Sequence, residues 1–347
     1  MTSGDASKPA PTSRLLEIDA LRGIAALSVV LFHYTTRFTE LYGRQHAASM
    51  SFPDGHYGVN LFFVISGFVI FMTLEKTSRP MDFVVSRFSR LFPVYWAAIF
   101  ITLSITHALG LPDKLVGFGA ALANMLMIHG LFRVPHVDGV YWTLEVELLF
   151  YSGMLLMYRV GALPKIHRVL AILFLLRLVY WAAARFLGID LPWTVFRLLI
   201  LQFIPWFAIG ISIYLAVSHG PDKRRSALFT SALAVLTLLI AESVLLATLA
   251  TTVGALVWAA ARGHLPWLKN PVLTWLGAIS YPLYLVHENV GWSIQLQLAR
   301  LGASPDVSLL LVLTFSLGLA TLLNRLVEQP ALKWIRRRYQ DRGSANP

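Results

Sequence analysis

ALRGIAALSVVLFHY, residues Ala20 to Tyr34, places two ionisable side chains in a segment otherwise suited to lipid. A helix advances about 100° per residue, so the eleven steps from Arg22 to His33 return to within about 20° of the starting face, about 16 Å further along the axis. The guanidinium and the imidazole therefore share one stripe. Ionisable groups inside a membrane are costly and turn towards a cavity or a partner. The stripe reads as a path from the cytoplasmic edge towards mid-membrane or beyond. The alternative is a snorkelling arginine near a helix end and a histidine satisfied within the bundle.

The rest of the chain has the same character. It is 56% hydrophobic and 14% charged over 347 residues, with a mean hydropathy of +0.64. That composition predicts an all-α, polytopic integral membrane protein. There is no cysteine, which excludes disulfides, thiolate nucleophiles and Cys-type metal sites. No metal is expected. The net charge of +11 follows from basic residues retained on the cytoplasmic side and does not call for nucleic acid. Residues 1–17 are polar and lack the apolar core of a signal peptide. They are expected to form a short disordered cytoplasmic tail.

Ten apolar stretches can span: 20–36, 57–74, 91–109, 141–158, 169–187, 195–217, 227–240, 244–261, 272–289 and 307–326. An eleventh, 115–131, would put the termini on opposite sides. The basic residues argue against it. Placing Lys8, Arg14 and the connections after the second, fourth, sixth and eighth spans inside, with the basic C-terminal tail, gives nineteen lysines and arginines there. Only Arg37, Arg44, Lys114, Arg133 and Arg300 lie outside. This asymmetry predicts about ten spans, both termini cytoplasmic, and 115–131 as a re-entrant or interfacial segment. A turn is expected near Glu242–Ser243, because 227–261 as one helix would be about 50 Å long. The membrane domain then covers 18–330, followed by a basic cytoplasmic tail, 331–347.

Several short patterns carry chemistry. Arg87 and Arg90, three apart in SRFSRLFPVYW, share a helix face where the third span leaves the cytoplasm. Paired guanidiniums suit a phosphate; they also suit an ordinary positive-inside flank. Ser66-Gly67 in the second span permits a close approach by a ligand or another helix. In YWTLEVE, Glu145 and Glu147 point to nearly opposite faces and need separate partners. Glu147 lies deeper, where a carboxylate can orient a histidine or pair with an arginine such as Arg177. Ser280, Tyr284 and His287 share a stripe on the ninth span, His287 at about the depth of His33 and more simply read as structural. Arg177 is first assigned to a structural pair.

In order, the Arg22–His33 segment, GVNLFFVISGF, RFSRLFPVYW, YWTLEVELLFY, ISYPLYLVHE and VEQPALKWIRR resemble the acyltransferase-3 family of integral membrane O-acyltransferases. The resemblance covers about residues 15 to 340. It implies transfer of an acyl group, commonly acetyl from acetyl-CoA, from cytoplasmic acyl-CoA to a hydroxyl on a polysaccharide, a lipid-linked sugar or a small natural product. Those donors, acceptors and the membrane lipids are the implied partners, with no nucleic acid, and the bacterial inner (cytoplasmic) membrane is the implied location. The family's Arg-His pair matches Arg22 and His33, its arginine pair Arg87 and Arg90, its Ser-Gly-Phe Ser66, Gly67 and Phe68, and its Trp-Thr-Leu-x-x-Glu glutamate Glu147. Two positions depart from it: Asn60 and Leu148 stand where many members carry acidic residues.

The expected mechanism has His33 and Glu147 catalytic, His33 as general base and Glu147 orienting or balancing it. Arg22, Arg87, Arg90 and Ser66 bind the acyl-CoA. An acyl-histidine intermediate is a variant. No GxSxG elbow is present. The competing class is a proton-coupled transporter or flippase, which also uses intramembrane Arg, His and Glu; against it stands the lack of inverted repeats.

Overall fold

The computed structural model describes residues 15–344, with side chains to residue 341. Lys8, Arg14 and most of the expected N-terminal tail lie outside the described residues. The described chain is all helix, with no strand. Twelve longer helices are α1 (Leu16–Phe32), α2 (Gly58–Glu75), α3 (Pro80–Leu109), α4 (Trp142–Arg159), α5 (Ile166–Ala182), α6 (Ile204–Ser218), α7 (Pro221–Ala241), α8 (Val244–Ala261), α9 (Pro271–Val286), α10 (Glu288–Arg300), α11 (Pro305–Leu323) and α12 (Gln329–Ser344). By length and composition, seven helical segments among the described residues can cross a membrane. The helices of α6 and α9 are apolar but shorter.

Large apolar side chains such as Phe100, Ile172, Leu175, Phe229, Leu245 and Leu310 face outward, while Glu145, Asp138, His287 and Glu288 are buried. This inverted distribution is the one lipid selects, because polar groups find partners only inside the bundle.

At the centre, α1 packs on α9 and α2, and α2 packs on α6. Glycines set these approaches. A Cβ on Gly67 would overlap the carbonyl oxygen of Phe207, and one on Gly210 that of Val64. A Cβ on Gly23 would meet the Gly277 nitrogen at 2.5 Å. Gly67 is thus a helix-packing device, the small-residue contact of membrane bundles.

Two boundaries differ from the sequence reading, and a third stretch, expected not to cross, takes a definite form. Helix α3 runs thirty residues from Pro80, so Arg87 and Arg90 lie two or more turns inside it and not at its mouth. The stretch 195–217 is broken: a short helix, Trp193–Leu198, is joined to α6 through a non-helical connection. The stretch 115–131 forms one seven-residue helix, Phe118–Asn124, and then irregular chain. At about 10 Å that helix is too short to cross a membrane. The turn between α7 and α8 falls at Glu242–Ser243, as the length argument requires.

Pro282 lies inside α9 and has no N–H for the Ala278 carbonyl. That carbonyl instead accepts a hydrogen bond from Nδ2 of Asn324 at 3.1 Å. After Val286 the helix turns, and α10 begins at Glu288. The carbonyl of His287 at this corner accepts the Tyr34 hydroxyl at 2.7 Å.

Candidate active site

Five of the six expected site residues converge. Arg22 from α1, Ser66 from α2, Arg87 and Arg90 from α3 and Glu147 from α4 line one cavity enclosing about 800 Å³ of empty space, partly open to solvent. Thr143, Tyr151, Ser280, Tyr281 and Tyr284 complete its polar lining. Three guanidiniums and one carboxylate line it, so the chamber carries an excess of positive charge. Glu147 does not serve a guanidinium through any hydrogen bond at its Oε1. That atom accepts from Ser66 Oγ at 3.0 Å and from the Tyr151 hydroxyl. Nη2 of Arg87 donates to Ser86 Oγ at 3.3 Å, and its Nε is buried without a hydrogen-bond partner. Arg336 of α12 donates to the same Ser86 hydroxyl at 3.2 Å. This fourth guanidinium sits in the closing VEQPALKWIRR motif, to which the sequence reading gave no site residue.

His33 occupies a separate compartment. It opens a π-helical turn, His33–Arg37, at the end of α1, a wide turn often found at functional positions. Its Nε2 lies 3.1 Å from Oε2 of Glu288, with the two side chains 14% and 7% exposed. Its Nδ1 lies 2.9 Å from the Val29 carbonyl and 3.1 Å from Nε2 of His287. His287 in turn has Nδ1 2.9 Å from the Tyr284 carbonyl. A carbonyl only accepts, so His287 carries its proton on Nδ1 and presents a lone pair at Nε2. Nδ1 of His33 then faces two acceptors and must carry a hydrogen. Nε2 is the nitrogen left for proton transfer, and it faces a carboxylate.

The structure therefore does not pair Glu147 with His33. Glu147 belongs to the arginine chamber, and the carboxylate at His33 is Glu288, which the sequence reading did not select. Its signal was present: a glutamate directly after His287 at the end of an apolar span. His287 itself, read as structural, is fully buried with its ring 4.9 Å from that of His33. Around them Asp138 accepts from the backbone nitrogens of Val140 at 3.2 Å and Asn289 at 3.0 Å, locking the loop before α4 onto the start of α10. Tyr284 links the compartments: it lines the arginine chamber, and its ring lies 5.6 Å from that of His287.

The other expected pairs are resolved. Arg177 meets Glu242 at 2.6 Å, a structural pair at the α7–α8 turn. Glu145, on the opposite face of α4 from Glu147, meets Nη2 of Arg197 at 2.6 Å. Among the described residues no group of three or more His, Asp or Glu side chains is arranged to hold a metal.

The model of an acyltransferase domain family matches residues 15–325, a segment that includes both compartments. The chain belongs to the acyltransferase-3 family. The chain is 32% identical to the Exopolysaccharide production protein ExoZ of Rhizobium meliloti, over 54% of the chain and 61% of ExoZ. It is 36% identical to Protein 2 in picA locus of Rhizobium radiobacter, over 30% of the chain and 54% of that protein. The chain thus spans between half and two thirds of these two relatives. Acyltransferase MdmB of Streptomyces mycarofaciens is 24% identical over 95% of both chains. No solved structure matches the chain.

Proposed function

We propose that the protein transfers an acyl group, acetyl by preference, from cytoplasmic acyl-CoA to a hydroxyl of a glycan, lipid-linked sugar or small natural product. The observation that carries this reading is the pairing of two unlike compartments along α1. One is a cationic chamber at Arg22, suited to phosphate. The other is a histidine–carboxylate pair eleven residues further on. Arg87 and Arg90 hold the CoA phosphates through charge-assisted hydrogen bonds. The pantetheine arm runs past Arg22 and Ser66, bringing the thioester towards His33.

The acceptor oxygen attacks the thioester carbonyl carbon, and the carbon–sulfur bond breaks. The hydroxyl proton passes to Nε2 of His33, where Glu288 balances the imidazolium, and then to the departing CoA thiolate. His287 holds the tautomer of His33 and is a positioning residue. Names given to relatives support the class: one is an exopolysaccharide production protein and one an acyltransferase.

The protein lies in the bacterial inner membrane, crossing it ten times: the seven long apolar segments, α1, α6 and α9. Both termini are cytoplasmic in this reading, which the clustering of lysines and arginines in alternate connections supports. Purified protein in nanodiscs, given acetyl-CoA labelled on the acetyl group, will release CoA and label an acceptor. Transport of label with the thioester intact would indicate a carrier instead. A cysteine placed at Ser344 will be labelled only after the cytoplasmic face is opened; labelling from outside intact cells would refute the topology.

A further inference from the structure

A second cavity lies across α4 from the arginine chamber. Thr143, Leu144, Glu147 and Tyr151 line the first; Trp142, Glu145, Val146 and Leu149 line the second. The second encloses about 780 Å³ of empty space, partly open to solvent, and is closed by Trp193, Arg197 and Phe203 with His136 from the loop before α4. Phe63 belongs to the wall between the two: it lines the first cavity, and its ring lies 5.2 Å from Phe203 and 6.4 Å from Trp142.

We propose that this second cavity is the acceptor subsite and takes an uncharged sugar ring. The inference rests on the acyl-transfer reading above. Trp142 and Trp193 are 37% and 47% exposed; Trp142 packs on Phe203 with ring centroids 5.4 Å apart and the Trp193 ring carries Arg197 at 4.9 Å and Arg133 at 5.8 Å, so a pyranose meets the exposed edges of the two indoles. The ionisable groups that line the cavity are paired, and Arg133 stands outside the lining. Arg197 is held by Glu145 at 2.6 Å and by the Trp193 ring at 4.9 Å. His136 shares a hydrogen bond of 2.6 Å with His129. Burial, reinforced by His136 and Arg197, pushes His129 down to about 4, so the imidazole pair is uncharged near neutrality.

An anionic ligand would have to displace Glu145 from Arg197 in a partly dry site. A lipid chain would leave polar atoms unmet. Glu145, in the lining, has a buried Oε2 without a hydrogen-bond partner, a group that a hydroxyl can satisfy. The loop carrying His136 ends against the catalytic pair: a Cβ on Gly139 would overlap Oε1 of Glu288. The loop from His136 to Gly139 thus joins the wall of this cavity to the His33 compartment.

The test uses the purified full chain in phosphatidylcholine nanodiscs, free of sugar detergents. Methyl glucoside, methyl galactoside and methyl mannoside are the probes, read by saturation-transfer NMR. At least one should receive saturation from the native protein. The signal should fall about fivefold or more in Trp193→Ala and recover in Trp193→Phe. CoA affinity, measured by calorimetry, reports whether each variant is folded. Equal transfer in native and Trp193→Ala proteins, or none to any of the three, overturns the subsite. So does quenching of Trp193 by brominated lipid chains in place of glycoside binding. Acyl transfer from labelled acetyl-CoA without glycoside binding overturns the subsite and leaves the acyltransferase reading intact. Glycoside binding without any CoA binding removes the acyl-transfer reading, and the acceptor role with it.

Discussion

The arginine chamber and the histidine compartment lie at two ends of one helix stripe and solve opposite problems. In the chamber, three guanidiniums share one lining carboxylate, and a buried Nε of Arg87 has no hydrogen-bond partner. Charge is held in excess, and the deficit is the shape of a ligand. In the histidine compartment the rings are fixed, and the contact between Nε2 of His33 and Glu288 is completed when a proton arrives. His33 is held by Val29, His287 and Glu288, and His287 by Tyr284. Binding calls for unmet donors; proton transfer calls for fixed tautomers and short, saturated contacts. On the proposed reading, the first end waits for a substrate and the second is already assembled.

The largest expected effect comes from emptying the assembled end. His33→Ala should lower turnover about a hundredfold or more while calorimetry still finds CoA binding; near-native turnover would remove the imidazole from the chemistry. Glu288→Gln keeps the shape and loses the charge that balances His33. It should lower kcat by about tenfold or more with little change in the donor's KM, and an equal loss in Glu147→Gln alone would return the orienting role to Glu147.

At the waiting end the loss should appear in binding. Arg90→Ala should cost about 1.5–3 kcal/mol of CoA affinity and raise KM for acyl-CoA without changing that of the acceptor. Arg90→Lys should rescue only part, since an ammonium lacks the bidentate fork. The smallest effect on chemistry tests the frame that both ends share. Gly67→Ala forces a methyl group against the Phe207 carbonyl and should destabilise the fold by about 1–3 kcal/mol, read as a lower midpoint of thermal unfolding in detergent.

Much of this was legible because it is periodic. The eleven-residue spacing puts Arg22 and His33 on one stripe because α1 is regular up to Phe32. The two-residue spacing of Glu145 and Glu147 sends them to different cavities because α4 is regular too. The arginine chamber followed from short motifs matched residue by residue. What was hidden depends on where regular structure stops. Glu288 reaches His33 only because α9 ends at Val286 and a new helix starts at Glu288; on a continuous helix it would face elsewhere than His287. The cavity wall at His136 and Arg197 is built from a loop and a broken span, which carry no periodic signal.

The alternation along α4 has a consequence for how such a protein diversifies. Neighbouring positions on this one helix face different chambers, so a single substitution at Trp142 or Glu145 alters one chamber and leaves the lining of the other in place. With the two chambers assigned to acceptor and donor as proposed, lineages can change the acceptor while keeping the lining of the donor chamber.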